Sequence, residues 1–80
     1  MEKITDSLAT ELGNEIGVNW SEIKLAELKK GIKDELKEHS RTARAFGVGS
    51  VDLLEYATSI AWDHLKQDPL YYTKIDKAGL

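Results

Sequence analysis

Leu8, Leu12 and Ile16 recur at every fourth residue with Ala9 beside them, a spacing that gathers apolar side chains on one face of a helix. Thr5 or Asp6 can cap the start, and Gly17 suits the left-handed position that ends many helices. A short helix is therefore predicted over 5–16. Val18 to Ile23 has no helical period but holds Val18, Trp20 and Ile23, and reads as a tight connection whose large side chains plug the core. Trp20 dominates it, since a buried aromatic ring removes about 150–250 Å² from water. From Lys24 to His39, Leu25, Leu28, Ile32 and Leu36 follow the three-four spacing of a second helix, and His39 continues the stripe. Lys29, Lys33 and Lys37 fall on one flank and Glu35 on the other, while Glu27, Asp34 and Glu38 point away. Gly31 sits mid-helix at a cost of roughly 0.5–1 kcal/mol relative to alanine, which points to a close approach there.

Ser40 to Gly49 breaks the period and, with Gly47 and Gly49, predicts the one sizeable loop. Ser50 is a suitable N-cap for a third helix, Val51 to Gln67, whose core face is Leu53, Leu54, Ala57, Ile60, Ala61, His64 and Leu65. Trp62 projects nearly opposite, beside Val51 and Glu55. Asp68-Pro69 stops that helix and starts a short last one, Leu70 to Lys77, with Pro69 at its first position and Asp68 as cap. The pattern predicts an all-α fold, a small compact array of three to four helices with the last one short. Residues 1–80 form a single domain in this reading.

Composition narrows the function classes. With no cysteine, neither disulfides nor thiolate metal sites supplement the core, and a thiol nucleophile is excluded. A domain of 80 residues buries only about 60% of its unfolded surface, so packing has little to spare. The net charge of −3 arises in residues 1–40, with six Lys against nine acids, so the global field argues against binding a phosphate backbone. Met1-Glu2-Lys3 opens no apolar run of signal-peptide or membrane-span length, which makes the cytoplasm the expected compartment.

The run Ile60-Ala61, Asp63-His64-Leu65, Asp68-Pro69 and Tyr71-Tyr72 resembles the C-terminal pattern of a family of short bacterial and prophage-associated helical proteins of unknown function. Gly17-Val18-Asn19-Trp20-Ser21 is similar to that family's opening, and Gly31 through Glu38-His39 to its middle. Lys24 and Leu70 stand where acidic residues are usual, and one extra residue precedes Glu38-His39. The resemblance implies a compact helical fold and a bacterial or phage setting, and it supplies no activity.

Three groups of residues carry candidate chemistry. Glu35 and His39 are helix neighbours four apart, and the faces of His39 and His64 are expected to meet, so Glu35, His39 and His64 are a candidate zinc or iron site. The bland alternative makes both histidines neutral core residues bonded to a carbonyl or a tyrosine hydroxyl, with no cofactor. Trp62, Val51 and Leu65, with Thr58 and Tyr71, are a candidate interaction edge, for a protein partner or a homodimer, unless Trp62 simply receives the last helix. The stripe Lys29, Lys33 and Lys37 is expected to be a solvated flank rather than a nucleic-acid contact. No glycine-rich phosphate loop or strained serine elbow supports an enzyme. The sequence therefore favours a small accessory or interaction domain acting by protein binding, with metal binding as the alternative.

Overall fold

The computed structural model describes residues 3–79. The fold is all-α, with α1 spanning Asp6–Ile16, α2 Leu25–Ala45, α3 Ser50–Gln67 and α4 Tyr71–Ala78. Thr5 caps α1 by accepting a hydrogen bond from the Leu8 amide at 3.1 Å. Gly17, at φ 84°, ends α1 in the left-handed region, and the Val18 amide donates back to the Gly13 carbonyl at 2.9 Å. The connection to α2 buries Val18 and Ile23 as the pattern predicts. Trp20 is only partly buried: its ring lies on Gly13 and its Nε1 donates to Asn14 Oδ1 at 2.8 Å.

α2 runs six residues beyond the predicted end at His39, which shortens the expected 40–49 loop to Phe46–Gly49. Ala43 is the reason, because it lies seven residues after Leu36 on the same face and is buried. The loop then closes as α1 does. Gly47 takes φ 73°, its amide bonds the Arg44 carbonyl at 3.1 Å, and the Val48 amide bonds that of Ala43 at 2.9 Å. Gly49 rather than Ser50 occupies the N-cap of α3.

α2 and α3 form an antiparallel hairpin with the most extensive pairing in the fold, and α1 and α4 pack against it. Leu12, Leu28, Ile32, Leu36, Leu54, Ala57, Ala61 and Leu65 make the core, joined by Ile4 from before α1 and by Tyr72 from α4. No helix among the described residues is long and apolar enough to cross a membrane.

α4 begins at Tyr71, with Pro69 and Leu70 in a turn before it. Asp68 organises that turn through its side chain, accepting from the Leu70 amide at 3.0 Å and from Lys74 Nζ at 2.6 Å. Those bonds, the one from Lys74 above all, hold its carboxyl below the usual aspartate value. The seat of α4 is Gly31. A Cβ there would stand 2.5 Å from the Tyr72 ring and 2.8 Å from the Ala61 Cβ, so the glycine lets both α3 and α4 close on α2.

Gly31→Ala is expected to lower stability by about 1–3 kcal/mol through overpacking, although helix propensity alone favours alanine by about 1 kcal/mol. Urea denaturation decides it: a variant more stable than the wild type would show that Tyr72 does not occupy this seat.

Candidate functional site

Glu27, Gly31 and Glu35 follow one another at intervals of four on α2, so they share a stripe, and α4 lies along it. The sequence pattern points Glu27 away from the core with Asp34 and Glu38. Asp34 and Glu38 are indeed exposed, but Glu27 is buried. Its carboxylate accepts from the Thr73 amide at 3.0 Å and from the Thr73 hydroxyl. That amide belongs to the first turn of α4, where the local N-cap residue Leu70 offers no side-chain acceptor. A glutamate on α2 thus caps a helix distant in sequence, which is why its burial is tolerated.

Glu35 occupies the other end of the stripe with only 4% of its surface exposed. Tyr72 donates its hydroxyl proton to Glu35 Oε2 at 2.7 Å, and His64 Nδ1 lies 2.9 Å from the same hydroxyl. Because the phenol proton is committed to Glu35, the hydroxyl oxygen accepts from His64, which sets the proton on Nδ1. Tyr71 stacks on the His64 ring at 4.3 Å between centroids and meets Tyr72 edge-on at 5.0 Å. On the opposite side His39 Nε2 stands 3.3 Å from Glu35 Oε1, with its ring edge-on to Tyr56 at 5.8 Å. The faces of His39 and His64 therefore meet at Glu35, one on each oxygen. Neither histidine lies in the interior, as their side chains are 33% and 34% exposed.

Desolvation, followed by the hydrogen bond to Glu35, pushes the Tyr72 hydroxyl far above the ordinary tyrosine value of 10.0. The cluster opens into a groove of about 1030 Å³ between α2, α3 and α4, whose walls include Asp34, Glu38, Ile60 and Asp76. Asp34 has its carboxyl raised by burial first and then by Asp76 and Glu35, a sign of local negative field. Of the sequence-derived metal set, Glu35 contacts both His39 and His64, through different oxygens. Among the described residues the donors that all come within 4.8 Å of one another are those of Glu35, Glu38 and His39.

The candidate interaction edge divides. Leu65 and Thr58 are fully buried, and neither presents a surface; Thr58 spends its hydroxyl on the Leu54 carbonyl at 2.7 Å. Val51 is exposed, Trp62 is partly buried with the Lys66 ammonium 4.1 Å above its ring, and Tyr71 is committed to His64. Of the five large apolar side chains exposed among the described residues, four lie instead at or just after the turn between α2 and α3, and the fifth is Leu70. Phe46 is 81% exposed, and Val48, Val51 and Tyr56 are exposed near it in sequence. Phe46, Val48, Leu53 and Tyr56 line a shallow cleft of about 470 Å³, and His39 forms part of its wall as well as of the polar groove. Two members of the lysine stripe and its neighbourhood are tethers: Lys29 pairs with Asp6 at 2.8 Å and Lys30 with Asp76 at 3.2 Å.

Because the Tyr72 hydroxyl ionises at higher pH in the folded than in the unfolded chain, its contribution is complete below about pH 10 and is lost as pH rises above that value. Tyr72→Phe is expected to cost about 1–3 kcal/mol near neutrality, by leaving the buried Glu35 carboxylate short of a donor. The same variant should show a shallower fall in stability between about pH 9 and pH 11 than the wild type. Parallel slopes in pH-dependent melting would contradict the burial of this hydroxyl against Glu35.

A protein-family model described as "Protein of unknown function (DUF5661)" matches residues 9–79, which takes in every residue of the Glu35 cluster and of the apolar corner. Searches of curated proteins and of solved structures find no match. With the match running from within α1 to the end of α4, the chain belongs to the DUF5661 family, a family of proteins of unknown function.

Proposed function

We propose that this domain works by binding a protein partner, in the cytoplasm of a bacterial or phage-infected cell, and that the partner seats on the corner where α2 turns into α3. The observation that carries the reading is the exposure of Phe46 at the C-cap of α2, in a chain with few large apolar residues to spare. A C-cap makes no demand for an aromatic side chain, and leaving one in water gains nothing for folding. Aromatic anchors dominate interface energetics, and gathered apolar surface marks interaction sites.

The corner is also pre-organised. The Gly47 and Val48 amides are tied back to α2, so a partner would meet a fixed backbone, and little ordering entropy is lost on docking. Arg44 and Asp52 stand beside the apolar residues and supply a rim of both signs. A second copy of the chain is the simplest partner. Binding rather than catalysis is the role this surface supports.

Phe46→Ser tests it. The variant is expected to fold with a stability within about 0.5 kcal/mol of the wild type, since the side chain touches little. It should lose concentration-dependent self-association in light scattering, or the specific protein that the wild type retains in affinity capture. Trp62→Ala, away from the corner, should keep that binding. A Phe46→Ser variant that self-associates and captures as the wild type does would contradict the assignment.

A further inference from the structure

We propose that Glu35, Glu38 and His39 form a binding site for a divalent transition metal of borderline hardness, typified by zinc, at the mouth of the polar groove. Ligand atoms of the three residues lie within 4.8 Å of one another, and their spacing of three and four residues places them on adjacent turns of α2. A tetrahedral ion with bonds of about 2.0–2.1 Å holds its ligand atoms about 3.3 Å apart. Glu35 Oε1 and His39 Nε2 already stand at 3.3 Å. Glu38 is exposed, so rotation of its side chain brings the third donor in without cost to the core.

What separates this cluster from an ordinary acidic helix face is the fixation of Glu35. The residue is buried, its Oε2 is held by the Tyr72 hydroxyl at 2.7 Å, and that hydroxyl is held in turn by His64 Nδ1 at 2.9 Å. Oε1 is left directed at His39. A ligating carboxylate whose second oxygen is hydrogen-bonded to a buried donor is the arrangement that orients ligands at metal centres. Tyr72 and His64 are therefore positioning residues here, and His64 stands outside the set of donors that all lie within 4.8 Å of one another.

Two carboxylates and one imidazole match the preferences of zinc or manganese, and the charge of a divalent ion neutralises the pair. Asp34 and Asp76 line the same groove with Lys37, and of the two acids Asp76 is already paired with Lys30 at 3.2 Å. The open groove leaves room for water at the remaining positions, as in zinc sites with three protein ligands.

The test uses the full chain without a histidine tag, titrated with zinc chloride and, separately, with magnesium chloride in calorimetry. One zinc per chain is expected, with Glu38→Gln and His39→Gln each weakening affinity by at least about tenfold, and Tyr72→Phe by about 10–100-fold through loss of orientation. Glu38 is at the surface, so its variant remains folded and interpretable. Nitrogen-detected NMR of the histidine rings should show Nε2 of His39 shifting on saturation while the His64 ring keeps its chemical shifts. Absence of saturable zinc binding would overturn the proposal. So would magnesium binding as tightly as zinc, or a response confined to His64 with affinity unchanged in Glu38→Gln.

Discussion

The ring of Tyr72 lies where Gly31 has no side chain, and its hydroxyl reaches Glu35 one turn further along α2. An eight-residue helix cannot hold itself together in water, because the cost of nucleation exceeds what so few bonds return. α4 therefore exists by virtue of its dock. Tyr72 supplies the apolar burial, Glu35 accepts from its hydroxyl, and Glu27 satisfies an amide that the short helix cannot satisfy for itself. Both glutamates would be costly to bury without those donors, and both donors would be costly to bury without the glutamates. The stripe on α2 and the helix α4 thus require each other.

Most of the architecture could be read from the chain, because it follows from local rules. The four-residue spacing of Leu8, Leu12 and Ile16, the left-handed Gly17, and the Asp68-Pro69 break each fix an element boundary by backbone sterics or periodicity. The far end of α2 could not be read in that way. Its last six residues carry a single buried apolar group, the small Ala43, among Ser40, Arg41 and Thr42, and one alanine does not register as a stripe.

The candidate site was legible only in part, because the pattern turned Glu27 and Glu38 to solvent and gave Glu35 no partner on α4. Glu35, His39 and His64 do converge, but a hydrophobic-polar pattern assigns glutamate to solvent by default, so the burial of Glu27 and Glu35 had no local signal. The partners that make that burial tolerable, Thr73 and Tyr72, lie 46 and 37 residues away. The available clue was Gly31, whose cost in mid-helix points to a close approach on the stripe that it shares with Glu27 and Glu35. The supposed edge around Trp62 failed to form one surface for a related reason. Leu65 satisfies the core pattern and the edge pattern on a wheel, and the core took it.

The polar groove and the apolar corner meet at His39, which faces Glu35 on one side and Tyr56 on the other. Both depend on the α2–α3 hairpin holding its register, and the groove depends in addition on α4 staying docked. The most direct measurement is a double-mutant cycle on Tyr72→Phe and Glu35→Met, read by chemical denaturation. Mutual dependence predicts that each single variant is destabilised and that the double variant recovers part of the loss, with a coupling of about 1–3 kcal/mol. Additive effects with no coupling would contradict it, and would mean that α4 is held by the ring of Tyr72 alone.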